Sequence, residues 1–206
     1  MRDYIKFMWS RIASSLLALL LGTAYCASFA TAQENSLAAT PSPVDDKFVH
    51  QQFGASCSLE PNFAPMVADL NSDGVEDIVM VARCKNALID QGEKNYKVID
   101  PMDSFFGYGN PVITTSFAPD DPKLRGISLL VIHGSGPEAW RSETPVSKFV
   151  IINMPVKRLS VKRMKISRKK LANAIYVEQA TGDQMTSAIF WDGKKYRYEP
   201  LGSSTE

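Results

Sequence analysis

Histidine is nearly absent from this chain: His50 and His133 are the only two among 206 residues. That scarcity leaves little room for chemistry that needs an imidazole base. Cysteine is scarce too, and the spacing of Cys26, Cys57 and Cys84 excludes a Cys-x-x-Cys redox site or a zinc cluster. No Gly-x-Ser-x-Gly elbow and no twin-Arg pair occur. Beyond the N-terminal stretch no hydrophobic run is long enough to cross a membrane. Helical periodicity is thin, with no amphipathic stretch longer than about three turns.

Charge is also absent from one long interval. Arg2, Lys6 and Arg11 are followed by nothing charged until Glu34. Ile12 to Leu21 is almost wholly apolar or small, and Ala30-Thr31-Ala32 offers a small-x-small cleavage site. A basic start, an apolar centre and a small-residue end predict a secretory signal peptide over 1–32. Gly22, Thr23, Ser28 and Thr31 make the stretch a poor membrane anchor. Cleavage would remove Arg2, Lys6, Arg11 and Asp3, taking 23 Lys+Arg and 22 Asp+Glu to 20 and 21. A balance near zero argues against a dedicated nucleic-acid binder. Cys26 would leave with the signal. Cys57 and Cys84 would remain, an even pair expected to form a disulfide in an oxidising compartment. Closing a loop of that size is worth roughly 3–4 kcal/mol.

Residues 33–47 hold two prolines and little to bury, and predict a flexible tether. A single β-rich domain is expected over 48–206, starting near Phe48 or His50. Ile78–Ala82, Ser128–Ile132, Lys148–Asn153, Ala174–Glu178 and Ser187–Trp191 read as strands, the second and third apolar enough to be buried on both faces. Asp192-Gly193 predicts a two-residue hairpin turn, with Tyr196 and Tyr198 on one face and Lys195 and Arg197 on the other. Ser167–Ala174 could form a short helical turn. Residues 85–126 read as largely loop. The fold class expected is mainly β, an antiparallel sheet domain with long loops and little helix.

One segment has a spacing that implies chemistry. Asp69-Leu70-Asn71-Ser72-Asp73-Gly74-Val75-Glu76-Asp77 places oxygen-bearing side chains at alternating positions, with a glycine that permits a sharp turn. Such a string can wrap a hard cation such as Ca²⁺. Asp69, Asn71, Asp73 and Asp77 would supply side-chain ligands and Val75 a carbonyl, with Glu76 pointing outward. The twelfth position is Met80, inside a strand, so an EF-hand is excluded. The alternative is a metal-free turn in which Asp69 and Asp73 accept backbone N–H groups.

Followed by Val79-Met80-Val81-Ala82, this loop resembles the FG-GAP (integrin-α-like, or VCBS) repeat over Asp69–Ala82, about a fifteenth of the chain. The resemblance implies a calcium loop entering a strand and an incomplete, propeller-blade-like sheet. The repeat's terminal Gly and Pro are missing, and Phe53-Gly54-Ala55 stands too far upstream for the usual spacing. A closed propeller needs at least four blades, and a single copy cannot supply them. A single-repeat variant in a small exported bacterial protein is the form implied.

Other segments are less specific. Val131-Ile132-His133-Gly134-Ser135-Gly136 has the look of a hydrolase oxyanion loop, but no histidine follows Ser135, so a glycine-rich turn is expected. Eight of the fourteen residues 157–170 are basic. Lys157, Arg158, Lys162, Arg163 and Lys165 could face an anionic partner or simply solvent. Among Phe105, Phe106, Tyr108, Trp140, Trp191, Tyr196 and Tyr198, packing is expected of Trp191 and Tyr196 and exposure of Trp140. The expected whole is a secreted or periplasmic, non-catalytic binding or structural module with one calcium-stabilised loop. Its partner would be an extracytoplasmic protein or glycan. The rival expectations are a secreted hydrolase with unidentified carboxylate catalysts and an anion-binding surface protein.

Overall fold

The computed structural model describes residues 44–108, 124–168, 170–180 and 185–203. The expected signal segment over 1–32 lies outside the described residues, as does the tether up to residue 43.

Two sheets carry the fold. The first has six strands: β1 (Cys57–Leu59), β2 (Met66–Ala68), β3 (Asp77–Cys84), β4 (Lys97–Ile99), β5 (Ile127–His133) and β6 (Ser147–Ile151). Its order is β1-β3-β5-β6-β4, with β2 also paired to β3. All pairings are antiparallel except β4 with β6. The second is a four-stranded meander of β7 (Val156–Ser167), β8 (Lys170–Gln179), β9 (Met185–Trp191) and β10 (Tyr196–Ser203), in order β10-β9-β8-β7.

The continuous apolar runs of β3, β5 and β6 follow from their position. Side chains alternate faces along a strand, and the six-stranded sheet is covered on both. Val79, Val81, Leu129, Val131, Phe149 and Ile151 meet Leu159, Ile175, Val177, Ile189, Tyr196 and Tyr198 of the second sheet. Ile78, Met80, Ala82, Leu130, Ile132 and Val150 face the other way, against Val49, Phe53, Tyr96 and Trp140. The second sheet is covered on one face only, so its strands alternate apolar and polar. Cys57 and Cys84, directly opposed in the β1–β3 register, form the expected disulfide.

Several local expectations are corrected. Helix α1 (Asp46–Phe53) begins inside the expected tether. Asp45 caps it by accepting from the Phe48 N–H (2.8 Å), and Val49 and Phe53 bury its inner face. Ser167–Ala174 is not a helical turn: Lys170 opens β8, which pairs with β7 along its length. The alternation Leu171, Asn173, Ile175 against Ala172, Ala174 suits a strand. The connection from Trp191 to Tyr196 spans four residues. Asp192 closes it by accepting from the Lys194 and Lys195 N–H groups and from Arg197 Nε. Residues 85–108 hold β4 and two short helices, α2 (Gln91–Lys94) and α3 (Pro101–Asp103), then a π-helical turn over Ser104–Tyr108. The rest of that loop, 109–123, lies outside the described residues.

Candidate functional site

The Asp69–Asp77 loop sits at the rim of the seam between the sheets, and its two halves face different surroundings. Leu70 is buried in the core between the sheets. Asp77, the first residue of β3, is completely buried. Its Oδ2 accepts from the Leu70 N–H (2.7 Å) and the Asn71 N–H (3.2 Å). Its Oδ1 accepts from the Gly134 N–H (2.8 Å), at the end of β5. One carboxylate thus folds the loop back on its own exit strand and ties it to a neighbouring strand. Only glycine fits at 134, because a Cβ there would collide with the Glu76 carbonyl oxygen and the Ala139–Trp140 backbone. Desolvation raises the Asp77 pKa to about 6, against the lowering effect of the three amides; the nearby charge of Asp73 adds to the rise.

The outer half is a tight turn. Ser72 and Gly74 have left-handed backbone, with φ of 64° and 87°. This coiling turns the alternating side chains inward. Asp69 Oδ1 and Asn71 Oδ1 both accept from the Asp73 N–H, at 3.1 and 3.0 Å. Asp69 Oδ2 accepts from the Gly74 N–H, and Asp73 Oδ1 from the Val75 N–H. Asn71 Nδ2 donates to Asp73 Oδ2 (2.8 Å). Asp73 and Glu76 are exposed, while Asp69, Asn71 and Val75 are half-buried. From the second sheet, Asn173 Nδ2 donates to the Asp69 carbonyl (2.8 Å), so the loop touches both sheets.

Asp69, Asn71 and Asp73 are therefore brought together, with Asp77 held beneath them, and Asp69 and Asp73 accept backbone N–H groups as the metal-free alternative expects. Among the described residues, no group of three His, Cys, Asp or Glu side chains is placed to hold a metal ion. The outer set, Asp69, Asn71 and Asp73, is two carboxylates and one amide. In kind this set suits a hard cation, since every converging atom except Asn71 Nδ2 is oxygen. Asp77 Oδ1 carries one hydrogen bond and a carboxylate oxygen can accept two. No Lys or Arg forms an ion pair with any of the three carboxylates among the described residues.

Beside the loop, His133 joins the sheets. Its Nε2 lies 2.7 Å from Tyr196 Oη and its Nδ1 lies 3.1 Å from Ser147 Oγ. Both contacts are satisfied when Tyr196 donates to Nε2 and Nδ1–H donates to Ser147. Phe149, Trp191 and Tyr196 enclose the ring. Burial depresses the His133 pKa to about 4, partly opposed by the charges of Asp73 and Asp69. Burial raises the Tyr196 hydroxyl well above its ordinary value. Ser135 is not coupled to this imidazole: its hydroxyl donates to the Thr144 carbonyl (2.7 Å) beside Ser142.

No family model, curated protein or solved structure matches this chain.

The other sequence-derived sites divide. Trp140 is buried rather than exposed, only 4% accessible. The Gly134–Trp140 segment folds back through a Ser135–Ala139 bridge, placing the indole edge-on to Phe48 of α1 and under the Arg141 guanidinium. Phe105 and Phe106 are exposed beside Tyr198. The basic residues lie on β7, where Lys157 and Arg158 share Glu178 (3.0 and 3.6 Å) and Lys162 lies over the Tyr176 ring. Sequence reasoning missed Asn173 and Gly134, whose roles depend on strands far away in the chain. It also missed Asp100, a second buried carboxylate, which accepts from the Asp103 N–H and from Asn153 Nδ2 (2.5 Å). Among the described residues no helix is long and apolar enough to cross a membrane.

Proposed function

We propose that this chain is an extracytoplasmic, non-catalytic module whose Asp69–Asp77 loop takes a calcium-type cation. On this reading the cation fixes the seam between the two sheets. The observation that carries it is the gathering of Asp69, Asn71 and Asp73 oxygens in one outer turn above the buried Asp77, with no cationic side chain paired to these carboxylates among the described residues. Asp69, Asn71 and Asp73 would hold the ion, with the Val75 carbonyl and the remaining acceptor position of Asp77 Oδ1 completing the set. The ion would supply positive charge to a group of carboxylates with which no cationic side chain pairs among the described residues. Its effect is on stability, because a ligand that binds only the native state adds RT ln(1 + [L]/Kd), about 2.7 kcal/mol at a hundredfold excess over Kd.

The resemblance to a single FG-GAP repeat supports the same reading, since that repeat carries a calcium loop ahead of a strand. The Cys57–Cys84 disulfide supports an oxidising compartment. Export under a cleaved signal peptide belongs to the same proposal. Calcium titration by calorimetry tests the loop, with magnesium as competitor. One saturable calcium site that Asp69→Ala and Asp73→Ala abolish is the expected result. Heat absent at millimolar calcium, or unchanged in both variants, overturns it.

A further inference from the structure

We infer that the outer edge of β7 is a docking strand for an acidic, extended polypeptide segment of another protein. Among the described residues β7 is the last strand of its sheet and the longest strand, at 12 residues. Its backbone ladder is, among the described residues, made on one side only, to β8. β2 of the other sheet approaches β7 but shares no ladder with it. An edge of this kind presents a row of backbone donors and acceptors that an added strand can complete.

The charge on this edge selects what can be added. Residues 156–180 carry eight Lys and Arg against one carboxylate, Glu178. The remainder of the chain has 15 basic and 21 acidic residues, so positive charge is concentrated on this hairpin. Glu178 is already engaged by Lys157 and Arg158. Lys162, Arg163 and Lys165 are exposed, and none forms an ion pair among the described residues. The strand's alternation puts Lys162 on the outer face and Arg163 and Lys165 on the opposite one. A strand laid along β7 would therefore meet cations on both faces. Acidic side chains at directly opposed positions, about 5 Å away, are favoured, and basic ones are repelled. The same repulsion keeps a second copy of this chain from pairing edge to edge through β7. A polyanionic glycan could answer the charge, but it lacks the peptide groups that complete a ladder.

The test uses a fluorescein-labelled peptide of Glu-Glu-Thr-Thr repeats, which presents Glu on both faces of a strand, as long as β7, with the purified protein and anisotropy as readout. Two comparison probes carry the same charge: the same peptide N-methylated at alternate residues, and a heparin-derived oligosaccharide. Saturable binding of the unmodified peptide is expected, weakened at high salt and at least about tenfold tighter than its N-methylated form, which cannot complete the ladder. Lys162→Ala/Arg163→Ala/Lys165→Ala, checked for native circular dichroism, should lose about tenfold or more in affinity. A quieter variant, Arg163→Glu alone, should weaken binding in the same direction. Absence of peptide binding overturns the proposal, as does retention by the triple variant. Equal binding of the N-methylated peptide or the oligosaccharide overturns it too, in favour of a general polyanion surface.

Discussion

The inner and outer halves of the Asp69–Asp77 loop use the same side chain in opposite ways. Asp77 is sealed from water with both oxygens on backbone amides. Asp73, four positions earlier, is exposed and, among the described residues, bonded only within its own turn. The inner carboxylate organises backbone that would otherwise be buried without partners. The outer carboxylates accept their turn's backbone N–H groups at a surface, where water can take their place. The difference is one of burial: the cost of removing an acceptor is large where water cannot replace it and small where it can. Stability should therefore depend on Asp77 in all conditions, and on Asp69 and Asp73 only when a cation is present.

The largest effect expected is from Asp77→Ala. It leaves three buried or half-buried N–H groups without an acceptor and should destabilise by about 4 kcal/mol, read by urea unfolding. A loss below about 1 kcal/mol would erase the distinction between the halves. Cys84, at the far end of the same strand, gives a reference. Cys57→Ser/Cys84→Ser should cost about 3.5 kcal/mol, because the bridge closes a loop with a sequence separation of 27.

The His133 joint sharpens the comparison through pH. Its pKa falls from 6.5 to about 4 on burial. The unfolded chain binds this proton more readily, so its contribution is complete above pH 6.5 and fades as pH falls toward 4. The whole difference is about 3 kcal/mol. Asp77, raised to about 6, works in the opposite direction over much of that range. The His133 contribution is therefore read as the stability difference between wild type and His133→Gln, which should shrink between pH 7 and pH 4. A constant difference would mean that the imidazole does not titrate in this way. The smallest effect expected is Asp73→Ala in chelator, under about 1 kcal/mol, since only exposed turn contacts are lost.

Strand positions were legible because burial on both faces imposes continuous apolar runs, as in Ile78–Ala82 and Ser128–Ile132. The disulfide was legible from an even cysteine pair. The loop's composition was legible, but the division of labour within it was not. Nothing local separates Asp77 from Asp73; the difference arises from Gly134, 57 positions away, and from the second sheet. Trp140 was misread for the same reason, since its cover comes from Phe48, on a helix the sequence reading did not anticipate. Asp45 was the available signal for that helix, a capping residue ahead of Val49 and Phe53. The parallel β4–β6 pairing had no signal at all, because Lys97–Ile99 is too short to show a period.

The most direct test of the calcium-loop account is the melting temperature of the protein in EDTA and then in excess calcium, beside Asp73→Ala. The account predicts a calcium-dependent rise of about 5–10 °C for wild type at a hundredfold excess over Kd, and no rise for Asp73→Ala. A wild-type melting temperature unmoved by millimolar calcium, or a rise that Asp73→Ala shares in full, would contradict it and leave Asp69–Asp77 as a turn held by its own hydrogen bonds.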